Sequence, residues 1–102
     1  MAEWCKLNPL LTNFMSKFDK LLTKLLFASS DKNFPFEDLV KILLSLEFQM
    51  RINGSHHIFS REDVVEIMNL QPLNSKAKPY QVKQVRELII KYKLWTDGTD
   101  PE

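Results

Sequence analysis

Only two of the 102 residues are glycine, Gly54 and Gly98. A P-loop or dinucleotide-binding turn needs clustered glycines, so nucleotide-binding folds of those kinds are excluded. The single cysteine, Cys5, excludes an internal disulfide and any multi-cysteine zinc site. The two histidines, His56 and His57, are adjacent. Neighbours in a strand point to opposite faces, which makes this pair a poor joint metal ligand. The longest unbroken apolar run is four residues, 25–28, far short of a membrane span. Neither sign of charge dominates. Fourteen basic and thirteen acidic residues leave a net charge of +1, so a globally basic nucleic-acid binder is not indicated, although a local patch stays open. Residues 1–6 lack a basic region followed by an apolar stretch, so no secretory signal is expected and a cytoplasmic location is the default.

What the chain does hold is enough apolar material for one core. At 44% hydrophobic residues in 102, a single domain is expected. Residues 1–14 read as a poorly ordered leader, with Trp4, Leu7, Leu10, Leu11 and Phe14 scattered along it. The domain proper spans 15–94. It begins with a helix over about 16–28, where Phe18, Leu21, Leu22, Leu25 and Leu26 form one stripe and Lys17, Lys20 and Lys24 lie opposite. Ser16 and Asp19 stand at capping-box spacing. A second helix starts near Pro35, with Glu37 and Asp38 where the helix dipole favours negative charge. Phe36, Leu39, Val40, Leu43 and Leu46 form its apolar face.

The period then changes from helical to alternating. Phe48, Met50 and Ile52 alternate with Gln49 and Arg51, which predicts a strand. Asn53-Gly54 is the strongest short hairpin signal. A two-residue loop there pairs Ile52 with Ser55, Arg51 with His56 and Met50 with His57. Residues 55–60 form the returning strand and 66–71 a third. Pro79 opens a last helix with Val82, Val85, Leu88, Ile89 and Tyr92 facing inward. Residues 95–102 read as a flexible tail. The order predicts an α+β sandwich, α-β-β-β-α with an additional N-terminal helix, which is the topology of double-stranded-RNA-binding domains.

Three features bear on function. Gly54-Ser55-His56-His57 places an imidazole at the hairpin, and imidazole titrates near neutral pH. On the naive register His57 shares a face with Met50, Ile52 and Phe59, and His56 with Arg51 and Ile58. Second, residues 75–93 hold Lys76, Lys78, Lys83, Arg86, Lys91 and Lys93 against Glu87 alone, a local net charge of +5. Lys76 and Lys78 precede a helix N-terminus, where phosphate is favoured. Third, Tyr80 stands beside Lys78, where its ring could stack on a base. The plain reading of all three is a packed or solvated histidine, a solvated helix face and ordinary aromatic packing.

The run Arg51-Ile52-Asn53-Gly54-Ser55-His56-His57-Ile58-Phe59, followed by Lys78-Pro79 and a helix ending Ile89-Ile90-Lys91-Tyr92-Lys93-Leu94, resembles the HicA toxins. These are small bacterial mRNA interferases of double-stranded-RNA-binding-like fold, and the resemblance covers about residues 35–94. It implies an endoribonuclease that uses a single histidine and no metal or other cofactor, the toxin of a type II toxin–antitoxin pair. In the Gly-Ser-x-His motif the last position is catalytic, which implies His57, with Gly54, Ser55 and His56 as the motif and turn. The implied partners are an mRNA substrate and a HicB-like antitoxin. Lys76, Lys78, Tyr80 and Lys83 are the candidate RNA-binding residues. His57 would be the general base on the 2′-hydroxyl or the general acid on the leaving 5′-oxygen. Many members carry a further histidine in a Pro-x-His stretch; here Leu70-Gln71-Pro72-Leu73-Asn74 has none. The alternative is a non-catalytic RNA-binding module with the same fold.

Overall fold

In the computed structural model, residues 17–96 are described. The expected leader at 1–14, Ser16 of the expected capping pair, and residues 97–102 of the expected tail lie outside them. Helix α1 spans Lys17–Phe27, α2 Phe36–Ser45 and α3 Pro79–Tyr92; strands β1, β2 and β3 span Gln49–Asn53, His56–Arg61 and Val64–Leu70. A 3₁₀ turn at Leu94–Thr96 closes the described chain.

The strands form one antiparallel meander in the order β1-β2-β3. Its inner face carries Phe59, Val64, Met68 and Leu70, all buried in one cluster with Leu39, Ile42 and Leu43 of α2 and Val82, Val85, Leu88 and Ile89 of α3. Leu22 and Leu25 of α1 belong to the same cluster, as do Phe34, Phe36, Leu46, Phe48, Ala77 and Leu94. The outer face is open: Val65 and Ile67 are 86% and 66% exposed. This is an α+β arrangement with the helices on one side of the sheet.

Local chemistry explains the boundaries. Pro35 sits at the α2 N-cap with extended backbone, and its carbonyl accepts from the N–H groups of Asp38 and Leu39. At the other end Glu47 adopts φ 70, its N–H donates to the Leu44 carbonyl, and the Phe48 N–H donates to the Leu43 carbonyl. That is a Schellman stop with glutamate where glycine is usual. At the start of α3 the Lys78 N–H donates to Oε1 of Gln81 at 3.1 Å, the returning half of a capping box. It accounts for Gln81, the buried polar side chain of the core, at 1% exposure.

Two sheet expectations need correction. β3 starts at Val64 rather than Glu66, because buried Val64 pairs with Arg61 across a tight turn. The β1–β2 loop is Gly54-Ser55, not Asn53-Gly54: Asn53 pairs with His56, Ile52 with His57 and Met50 with Phe59. Gly54 has φ 65 and Ser55 is not among the positive-φ residues, so glycine takes the first loop position. An Asn-Gly loop would instead have needed φ > 0 at both. The displacement moves each partner by two residues along β2, an even step, so no side chain changes face.

Candidate active site

His57 lies at the turn end of β2 on the inner face, half-buried, opposite Ile52 on one side and Leu70 on the other. Its ring meets Phe36, the first residue of α2, edge-on, with centroids 4.9 Å apart and planes at 72°. That contact fixes the ring plane from one side. Nδ1 is 3.2 Å from the Ser55 carbonyl. A carbonyl only accepts, so Nδ1 carries the proton in this bond, and in the neutral ring Nε2 keeps its lone pair.

The ring borders a shallow cleft of about 320 Å³ whose walls include Phe36 and Glu37 of α2, Met50 of β1, and Pro72 and Ser75 of the loop before α3. That loop is built against α2. The Phe36 N–H donates to the Ser75 carbonyl at 3.1 Å, and the Ala77 N–H donates to the Phe34 carbonyl at 2.8 Å. Leu73 and Lys76 exchange two backbone bonds, 2.9 and 3.0 Å, around Asn74 (φ 53) and Ser75 (φ 67). This is a tight turn with both central residues left-handed, and Ser75 presents it to the cleft. The helix whose first turn opens onto His57 is therefore α2.

Ser55 is held from a second direction. Its hydroxyl accepts from Nε2 of Gln71, just after β3, at 2.8 Å. His56 faces the other way, exposed on the outer face, with Nδ1 3.1 Å from Oδ1 of Asn69. Gly54 has open space around it and serves the turn alone.

The candidate RNA-binding residues divide into two groups. Lys76 follows Ser75 in the chain but is not among the residues that line the His57 cleft, and Lys78 occupies the N-cap position of α3. Tyr80 and Lys83 instead line a separate cleft of about 470 Å³ with Glu66, Glu87 and Lys91. The basic stripe is also partly neutralised from within. Arg86 forks onto Asp31 at 2.7 and 2.9 Å, Lys91 reaches Glu66 at 2.7 Å, and Lys83 lies 4.0 Å from Glu87. Arg86 holds the Asp31 carboxyl below the usual carboxylate range, chiefly by hydrogen bonding. Lys91 and then Tyr92, whose hydroxyl donates at 2.7 Å, lower Glu66 to about 2. Lys76 and Lys78 enter no ion pair among the described residues.

Sequence reasoning missed Gln71, Phe36 as the ring contact, and Ser75. A glutamine just outside the strand pattern gives no periodic signal, and Phe36 read simply as core. Among the described residues, no three histidine, cysteine or carboxylate side chains converge where they could hold a metal ion, and no helix is long and apolar enough to cross a membrane. No family model matches the chain, and neither a curated protein nor a solved structure matches it.

Proposed function

We propose that this chain is an endoribonuclease of the mRNA-interferase kind, the toxin of a HicA/HicB-type pair acting in the cytoplasm, with His57 as its catalytic base. The observation that carries the reading is the Nδ1 bond of His57 to the Ser55 carbonyl, which leaves Nε2 available at an open cleft. The order helix, three antiparallel strands, helix supports a double-stranded-RNA-binding-like fold around it.

RNA brings its own nucleophile. Nε2 takes the proton from a 2′-hydroxyl, the 2′-oxygen attacks phosphorus, and the bond to the 5′-oxygen breaks. The products are a 2′,3′-cyclic phosphate and a 5′-hydroxyl, the leaving oxygen regaining a proton. Such a proton transfer contributes roughly 10²–10⁴-fold. The first turn of α2 opens on the same cleft, and a helix N-terminus favours the phosphate charge. The Glu37 carboxylate there is turned towards Lys41, 3.8 Å away. Lys76, which follows Ser75 in the chain, is the candidate cation for that phosphate. A HicB-like antitoxin would act by covering this cleft.

The test compares wild type with His57→Ala on single-stranded RNA. Cleavage to 2′,3′-cyclic ends is expected from wild type, and its loss with RNA binding retained is expected in the variant. RNA binding without any cleavage by wild type would leave the non-catalytic binding module as the function.

A further inference from the structure

The wall of the His57 cleft is mostly apolar, which phosphate chemistry alone does not require. Phe36 and Val40, four residues apart on one face of α2, both line it. Met50, the diagonal neighbour of His57 across β1 and β2, and Pro72 complete the apolar lining. Val40, Met50 and Pro72 are only half-buried, so each keeps surface that a ligand can cover. At about 320 Å³ the cleft stands at the small end of ligand pockets. A base stacked and paired in a duplex has no free face to lay on such a wall, whereas an unpaired base has.

The 2′-hydroxyl that meets Nε2 of His57 sits on the ribose carbon next to the one that carries the base. The base of that nucleotide therefore lies against what borders the imidazole, which is this apolar wall. Among the described residues that line the cleft, Glu37 is the one carboxylate. Its pair with Lys41 is 3.8 Å long and its side chain 85% exposed, so little opposes its exchange for a better donor. We propose that the cleft is a base-reading subsite for an unpaired guanine, that of the nucleotide 5′ to the cut, with Glu37 as the specificity-determining residue. The position of the ribose rests on the endoribonuclease reading above; the recognition of the base does not.

A carboxylate only accepts hydrogen bonds. Guanine is the base whose pairing edge offers two adjacent donors, N1–H and the N2 amino group, one for each carboxylate oxygen. Adenine, cytosine and uracil each set an acceptor beside their donor, so one carboxylate oxygen would face a lone pair. An amide in place of the carboxylate reverses the match, because one donor and one acceptor suit adenine.

Binding is tested without cleavage. The amide shifts of the wild-type chain are followed on titration with the 3′-monophosphates of guanosine, adenosine, cytidine and uridine. The guanosine nucleotide should move the amides of Glu37, Val40 and Met50 and bind about fivefold or more tighter than the other three. Cleavage is then measured on short unpaired RNAs that differ only in the base 5′ to one bond, and the same ranking is expected. Glu37→Gln, at an exposed position, should turn the preference from guanine to adenine in both measurements. Equal affinity for all four nucleotides, no shift at the cleft, or an unchanged ranking in Glu37→Gln overturns the inference. Guanine-selective binding at the cleft without cleavage keeps the subsite and removes the nuclease reading. Cleavage without guanine preference keeps the nuclease and removes the subsite.

Discussion

The side-chain amide of Gln71 donates to the Ser55 hydroxyl across 2.8 Å and so ties the end of β3 to the β1–β2 loop. The same Ser55 offers its carbonyl to His57 Nδ1 at 3.2 Å. Two bonds in series therefore connect Gln71 to the protonation pattern of the ring. The group that orients one ring nitrogen decides what the other can do. Gln71 thus acts on His57 through the loop, as a positioning residue.

Gln71→Ala should loosen the loop at a cost of about 1 kcal/mol, the worth of one hydrogen bond, without unfolding the sheet. The ¹⁵N shifts of the His57 ring nitrogens should then move towards an even mixture of tautomers. An unchanged ratio would show that the hairpin holds Ser55 without help.

The scarcity of glycine has a structural cost. Five non-glycine residues have positive φ among those described: Asn33, Glu47, Asn74, Ser75 and Lys93. At φ 70 and 67, Glu47 and Ser75 hold a conformation that costs an ordinary residue about 1–2 kcal/mol. Glycine returns about 0.4–1 kcal/mol of that through the unfolded chain. Glu47→Gly and Ser75→Gly should each raise stability by up to about 1 kcal/mol, measured as a higher urea midpoint with unchanged slope. Only Ser75→Gly should alter RNA cleavage, since only Ser75 lines the His57 cleft.

How much of this was legible follows from which signals are periodic. The stripes of α1, α2 and α3 depend on burial every three to four residues, which the sequence displays; the alternation around β1 holds for buried Phe48 and half-buried Met50 but ends at Ile52, which is 56% exposed. Ile42 was missed because it lies between Leu39 and Leu43 on a helix buried over a wider arc than the stripe suggested. The hairpin loop was misplaced by one residue because Asn-Gly and Gly-Ser are both acceptable loop pairs; the cross-strand ladder chooses between them. The faces of His56 and His57 survived, since the error was even. The division of the basic residues was not legible: Arg86 with Asp31 and Lys91 with Glu66 are separated by 55 and 25 positions, and sequence charge cannot reveal such pairing.

Glu66 makes the fold acid-sensitive. Lys91 and Tyr92 lower its carboxyl from 4.5 to about 2, so the folded chain favours the ionised form. The stabilisation is therefore complete above 4.5 and is lost as pH falls through about 2. Asp31, also lowered from 3.8, works in the same direction. Glu66→Gln should flatten the fall in stability across that window, and urea melts at neutral and acid pH would measure it. An identical acid profile in the variant would mean that the bonds to α3 do not persist in solution.

Lys76 and Lys78 are the two basic residues on which phosphate binding should depend. Arg86, Lys91 and Lys83 already face Asp31, Glu66 and Glu87, whereas Lys76 and Lys78 enter no ion pair among the described residues. Lys76 also directly follows Ser75, one of the residues that line the cleft containing His57. Binding to phosphate carries no base preference, and each phosphate neutralised releases condensed counterions. Lys76→Ala with Lys78→Ala should therefore weaken single-stranded RNA binding to a similar degree for unrelated sequences. The slope of log affinity against log salt should shrink by about 1.4, since each phosphate on a single strand that is no longer neutralised removes roughly 0.7. Lys83→Ala should change the slope less, because Glu87 shares its charge at 4.0 Å. Equal slopes for wild type and the double variant, or a larger effect from Lys83, would move the RNA path from the His57 cleft to the α3 cleft that contains Tyr80.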